Sequence, residues 1–265
     1  MYLFGTLHYG EENMYPLHGK VYNYFNEADL LGLEIDLSEI TEMEMSQKML
    51  DIGIYTEPQK QLNDVINEET FNQVSEYLAP MGIDETSLNQ FKPWVVAQLV
   101  TDMAIRTAGY SPESGVEEKL LEMANEQGMG VIGLEDLEEQ LGVFELLDDE
   151  GGRIFLEESI EEKEMADEYI KNLARYWKEN DKESILKERE GIRKIEEPSS
   201  LVEFYDALLY QRDKEMARGI SNLLEDDDEN VYFIAVGYLH LVGEESIVEN
   251  LKDKGYDVKC MYDGY

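Results

Sequence analysis

VYFIAVGYLH, residues 231–240, decides the fold. An unbroken apolar run of this kind, rich in aromatic and β-branched residues, is the pattern of a strand buried on both faces. It closes on Gly237 and delivers His240 just beyond its end. VGEESIVENLKDKG (242–255) then reads as a helix stopped by Gly255, and YDVKCMY (256–262) as a last strand. The start of the chain has the same grammar. YLFGTL (2–7) is strand-like and is followed by His8. PLHGKVYNYFNEA (16–28) is a helix with Val21, Tyr24, Phe25 and Ala28 on one face, and DLLGLEIDL (29–37) is a second buried strand. Strands alternating with helices define an α/β layer fold.

The two ends share a motif. Gly5-Thr6-Leu7-His8 recurs as Gly237-Tyr238-Leu239-His240, and these hold two of the three histidines in the chain. Glycine at a strand end permits close backbone approach. The histidine beyond it projects from the carboxyl edge of the sheet, where open α/β folds place ligands. Two such strand–GxLH–helix–strand units can bring two imidazoles together. With a carboxylate they form a divalent metal site with open positions, able to lower the pKa of a bound water. The plain alternative is two unrelated polar residues at strand ends.

Between these units the chain is mostly helical. Helices are expected over much of 42–108. SPES (111–114) starts another, with Ser111 as N-cap, running to Gln127 and stopping at Gly128. GVIGLE (130–135) is a short strand. Within 150–180, Ala166, Tyr169, Ile170, Leu173 and Trp177 form a helical stripe that reads as core packing. In 198–224, Ser200 and Glu203 form a capping box, and Asp213 is expected to N-cap a second helix after a break. EDDDE (225–229) reads as a solvated turn, since it lacks the spacing and glycine of a calcium loop. With no Pro/Gly/Ser-rich linker, residues 1–265 are read as one domain carrying a helical insertion at about 40–125.

Sixty acidic against 22 basic residues give a net charge of −38. Such a field repels nucleic acid and anionic membranes and attracts metal cations and basic peptides; solubility alone is the plainer explanation. The longest apolar stretch, WVVAQLV (94–100), is too short to span a bilayer. The N-terminus lacks the pattern of a signal peptide, and one cysteine, Cys260, forms no intrachain disulfide, so the expected location is the cytoplasm. Cys260 is expected to be a small buried apolar residue, Trp94 to be core, and His18 to serve packing or the surface. Ser38 and Ser46 lie in no nucleophile elbow, which argues against serine hydrolase chemistry.

FGTLHYG (4–10), YPLHGKV (15–21), LLGLEIDL (30–37), KPW (92–94), GYSPESGVEEKLLEMANEQGMGVIGLEDLEEQ (109–140), LLYQRDKEMA (208–217) and AVGYLHLVGEESIVENLKDKGYDV (235–258) together carry a resemblance. The chain resembles the TraB/PrgY/GumN family, related to the Tiki proteins and more remotely to the erythromycin esterase and ChaN proteins. The resemblance implies one α/β domain on a mixed sheet flanked by helices, with both histidine motifs at one site. The Tiki branch implies metal-dependent peptide cleavage with a manganese- or cobalt-like ion, zinc being a further candidate. The pheromone-shutdown branch implies blocking or removing a short peptide signal. The esterase relatives pair the first histidine with an acid on the next strand, which points to Glu34.

Carried over residue by residue, His8 and His240 are ligands or bases and Glu34 is the leading carboxylate. Asp36, two residues along the strand, is its rival, and Glu135 is a second candidate acid. Arg212 matches an Arg-Asn pair and is a candidate to bind substrate or stabilise an oxyanion. This chain has Asp213 where the pair has Asn, which sets an acid beside that arginine, and Glu117 where Asp is more usual. The leading expectation is a metal-dependent peptidase with the ion on His8, Glu34 and His240 and with Glu135 or Asp36 as base; its substrate is a short, preferably basic peptide, and a homodimer is compatible. The rivals are a peptide-sequestering protein without chemistry, and a metal-free esterase-like hydrolase with His8 as base oriented by Glu34.

Overall fold

The computed structural model describes residues 1–36, 40–192, 194–226 and 229–261. The first strand, β1 (Tyr2–Thr6), leads through α1 (Gly19–Asn26) to β2 (Leu30–Leu33). Five helices follow, α2 (Glu42–Gly53), α3 (Glu68–Leu78), α4 (Glu85–Leu88), α5 (Pro93–Thr107) and α6 (Val116–Gln127), before β3 (Gly130–Gly133). Six more precede the last strand: α7 (Leu137–Gly142), α8 (Asp149–Glu162), α9 (Ala166–Glu179), α10 (Lys182–Ile192), α11 (Ser199–Asp206) and α12 (Arg212–Asp226). β4 (Tyr232–Gly237) and α13 (Ile247–Asp253) complete the order. The fold is α/β; α1 separates β1 from β2, and two longer helical stretches, α2–α6 and α7–α12, precede β3 and β4.

The four strands found among the described residues form one sheet in the order β1-β4-β2-β3, with every pairing parallel. A mixed sheet was expected; the pairings seen are of one kind. β4 lies inside the sheet and is buried along its whole length, as its apolar run requires. Its side chains alternate between two cores. Phe233 and Ala235 pack with Phe25, Leu31 and Leu120 under α1 and α6, whereas Tyr232, Ile234 and Val236 pack with Met216, Ile220, Ile247 and Leu251 under α12 and α13. A helical core around Leu62, Leu78, Val96 and Leu156 joins α3, α5 and α8. No helix is long and apolar enough to cross a membrane among the described residues.

Several local expectations are corrected. Residues 256–261 are not a strand: Tyr256 and Val258 pack against the α12/α13 side, but the backbone there pairs with no strand of the sheet. Among the described residues the second GxLH unit therefore has its helix but no closing strand. Cys260 is exposed. Ser111 precedes a 3-10 turn (Pro112–Ser114) without capping it by its side chain, and α6 begins only after Gly115; Gly128, at φ 66°, does end α6. Ser200 bonds Asp148 Oδ1 at 2.7 Å instead of forming the capping box. The chain does not break before Asp213. A π-helical segment, Ala207–Gln211, links α11 to α12, and Asp213 is fully buried. His18 caps α1 by accepting from the Lys20 amide at 3.2 Å, and Trp94 is core. Of the stripe on α9, Ile170 is buried and Leu173 and Trp177 pack on the core, but Tyr169 is exposed. Ser38, Asp227, Asp228 and Tyr262 lie outside the described residues, as does the Ser46 side chain.

Candidate functional site

Because the strands are parallel, their carboxyl ends share one edge, and each strand supplies one polar residue just beyond it: His8 after β1, Glu34 after β2, Glu135 after β3 and His240 after β4. β1 and β4 are neighbours with Thr6 opposite Gly237, so the two GxLH motifs lie side by side. Each motif glycine makes room at this edge. A Cβ on Gly5 would lie 2.6 Å from the Tyr238 ring of the other motif. A Cβ on Gly237 would lie 3.2 Å from Glu34 Oε1 and 3.4 Å from His8 Nε2, at the point where the site groups converge.

Glu34 is the centre. Its Oε1 accepts the Gly237 amide at 2.7 Å and faces both histidines, at 3.9 Å from His8 Nε2 and 3.8 Å from His240 Nε2. Its Oε2 accepts from Arg212 Nη2 at 2.6 Å. Burial acts to raise the Glu34 carboxyl, but His240, His8, Arg212 and the Gly237 amide outweigh it and hold it far below the ordinary carboxylate range. β2 ends at Leu33, so Glu34 and Asp36 both lie past the strand and the period-two argument that made them rivals does not apply.

Each histidine is held from behind by an acid. His240 is buried and its Nδ1 donates to Asp213 Oδ1 at 2.6 Å; a carboxylate only accepts, so the hydrogen is on Nδ1 and Nε2 is left facing Glu34. His8, whose side chain is 59% exposed, sets its Nδ1 3.0 Å from Glu117 Oε1. Glu117 stands in the first turn of α6 and also accepts from the Thr6 hydroxyl. The charge of Glu117 pushes His8 up to about 10; burial opposes this, and Glu34 assists.

Arg212 is not free. Its Nε and Nη2 donate to Glu135 at 3.0 and 2.7 Å, Nη2 also to Glu34, and Nη1 reaches the Leu208 carbonyl at 3.3 Å. This engagement, and not Asp213, is what occupies the arginine. Burial raises the Glu135 carboxyl despite that pairing. The structure thus brings together His8, Glu34, Glu135, Arg212 and His240, and adds Glu117, named from the sequence only as a departure, and Asp213, named there as a departure and as a helix cap. Arg189, fully buried and 2.7 Å from Asp213 Oδ2, was missed.

These groups comprise four carboxylates and two guanidiniums, so with neutral histidines the cluster carries two uncompensated negative charges. Two protons or one divalent cation would balance it. Two donors bound about 2.1 Å from one ion stand about 3.4 Å apart at a tetrahedral angle and at most about 4.2 Å. The 3.8 and 3.9 Å spacings lie inside that limit but wider than a tetrahedral site, and no group of three or more His, Cys, Asp or Glu among the described residues is closed enough to count as a ready metal cluster. The donor types fit, as do the carboxylates behind both imidazoles, the usual support of metal-ligating histidine.

The profile of the TraB/PrgY/gumN family matches residues 1–259. Over 253 residues, 95% of this chain and 87% of the other, the sequence is 24% identical to a protein of Escherichia coli named "Uncharacterized protein YbaP". Shorter matches join it to the "Metalloprotease TIKI homolog" of Nematostella vectensis, 39% identical over 56 residues (21% of this chain, 12% of that one), and to "Metalloprotease TIKI1" of Xenopus tropicalis, 36% over 55 residues (21% and 11%). No solved structure matches.

Proposed function

Since the chain belongs to the TraB/PrgY/gumN family, we propose that it is a divalent-metal-dependent hydrolase of short peptides, with His8 Nε2, His240 Nε2 and Glu34 Oε1 as the ion's protein ligands. The observation that carries this reading is the pair of acid-backed imidazoles facing one carboxylate oxygen, within a cluster two positive charges short. The partial likeness to proteins named metalloproteases supports the same reaction class. A manganese, cobalt or zinc ion bound here would polarise a carbonyl and make water a better nucleophile.

The protein's own contribution is orientation. Arg212 and the Gly237 amide fix Glu34 from both sides, leaving a lone pair on Oε1 toward the histidines. Asp213 and Glu117 aim the two rings. Glu135, its carboxyl raised by burial, is the group we assign to take a proton from water and pass it to the leaving amine as the C–N bond breaks. The oxyanion role expected of Arg212 is not supported, because its guanidinium serves the two glutamates. Substrate approaches from the exposed His8 side, and the −38 charge favours a basic or amine-ended peptide.

A metal-free reading has one observation in its favour, the solvent-facing His8–Glu117 dyad. A histidine raised to about 10, however, stays protonated near neutral pH and makes a poor base there. The test is metal content in wild type, His8→Ala and His240→Ala, with peptide cleavage followed by mass spectrometry. Near-stoichiometric ion and cleavage, both lost in each variant, support the proposal. Full turnover after chelation with loss on His8→Ala means the metal-free hydrolase. Ion-independent peptide binding with no product means a sequestering protein.

A further inference from the structure

Asp213 is 0% exposed and Arg189 is 1% exposed, so a full charge pair lies inside the protein beside His240. Such a pair is costly to desolvate, and removing one partner strands the other charge. Arg189 comes from α10 and Asp213 from the first turn of α12, with Nη1 2.7 Å from Oδ2. That oxygen makes no aligned hydrogen bond, so the contact is chiefly ionic. The other carboxylate oxygen, Oδ1, accepts from His240 Nδ1. The same guanidinium donates to the Leu239 carbonyl at 2.7 Å and to the Glu244 carbonyl at 3.2 Å, on either side of His240 in the chain. It also lies over the Tyr210 ring, 4.6 Å from its centroid, in the π-helical segment that sets the register of α12. One buried cation therefore grips the segment carrying His240, the acid that orients its ring, and the turn that places the acid.

We propose that Arg189 is a positioning residue that fixes the His240 ring through Asp213. The idea rests on the reading of His240 as a site residue, but it is tested without metal or substrate, so its failure is separate from failure of the hydrolase reading. A purely structural pin would act on the loop carbonyls and leave the histidine ring alone. Positioning through Asp213 makes the two side chains energetically coupled, with a change of sign.

The experiment combines urea and thermal unfolding with NMR of 15N-histidine-labelled, metal-free protein for wild type, Arg189→Met, Asp213→Asn, the double variant and Arg189→Lys. In the wild-type background, Asp213→Asn strands Arg189 and lowers Tm by roughly 6–12 °C. In the Arg189→Met background the same change removes a stranded carboxylate and raises Tm. Arg189→Met loses the His240 Nδ1–H signal, while Arg189→Lys, which keeps the charge, retains it. If Arg189→Met does not fold, folding of the double variant is the rescue expected, and failure of both to fold overturns the proposal. Unchanged His240 signals in a folded Arg189→Met, or a destabilising Asp213→Asn in both backgrounds, also overturn it.

Discussion

Gly237→Ala separates what the second motif does for folding from what it does for the site. The backbone at Gly237, φ −50° and ψ 135°, suits alanine, so no conformational strain arises. The new methyl would lie 3.2 Å from Glu34 Oε1, 3.4 Å from His8 Nε2 and 3.5 Å from His240 Cδ2, and these three nearest atoms are all side-chain atoms. Only Glu34 Oε1 stands closer than ordinary contact and must retreat by a few tenths of an ångström; the two imidazole atoms are at van der Waals distance. Overpacking costs about 1–3 kcal/mol, and only one of the three contacts is tight, so we expect about 1 kcal/mol in urea unfolding of metal-free protein. Metal ligands tolerate only about ±0.2 Å. A methyl at the convergence point should therefore weaken manganese or cobalt binding at least tenfold, about 1.4 kcal/mol, with a parallel loss of turnover. Calorimetric titration of the ion into wild type and variant reads this directly. Wild-type affinity in Gly237→Ala would refute the placement of the ion among these three residues, and a loss of stability above about 3 kcal/mol would mean that the glycine is kept for packing.

The other motif glycine should show the opposite balance. Gly5→Ala drives a methyl to 2.6 Å from Tyr238 Cδ2, and the Tyr238 hydroxyl is tied to Asn180, so the unfolding free energy in urea should drop by about 1–3 kcal/mol; adding Tyr238→Ala should recover part of that. Arg212→Met leaves Glu34 and Glu135 buried without their cation and should cost about 3–5 kcal/mol in denaturant unfolding, with Arg212→Lys milder. Glu117 raises His8 from 6.5 to about 10, so in ion-free protein this pair stabilises the fold fully below about pH 6.5 and its contribution is lost as pH climbs through about 10; Glu117→Gln should flatten that loss in unfolding measured across the range. Because His8 must shed that proton to ligate, ion binding at pH 8 should release at least about one proton per site, read as a dependence of the calorimetric heat on buffer ionisation enthalpy, and Glu117→Gln should reduce it.

The parts of this molecule that were legible in the chain are those whose cause is local. β4 announces itself because a strand buried on both faces must be apolar at every position, and its alternating residues do divide between two cores. Gly128 marks the end of α6 because the left-handed conformation there suits glycine. His8, Glu135 and His240 were readable as strand-end residues, and a parallel sheet collects strand ends at one edge; Glu34 was read within a strand over 29–37, but β2 stops at Leu33 and leaves it at that same edge. What stayed hidden depends on partners far away in the chain. Asp213 looks like a helix cap because it follows an apparent break, but the π-helical turn carries the chain through and rotates it inward to His240. Arg189 sits in KERE (187–190), an all-charged run in which nothing local marks one residue for burial; only the fold buries it. Residues 256–262 show strand-like alternation, yet alternation reports burial of one face and not the presence of a pairing neighbour.

The same distinction settles what the charge of the chain means for the site. A net −38 suggests cation chemistry anywhere on the surface, but exposed charges more than about 8 Å apart are largely screened at physiological salt. Four acids among the sixty lie in the cluster, and each is committed to a named partner: Glu117 and Asp213 to the backs of the imidazoles, Glu34 and Glu135 to Arg212. Glu34, Asp213, Arg189, Arg212 and His240 are buried away from water, so charge among them presses for local compensation. The count over the cluster is short by two positive charges, which two protons or one divalent ion would supply. On the reading proposed above, a cation would be drawn to this edge by two arginines being two charges too few, and not by the acidity of the surface around it.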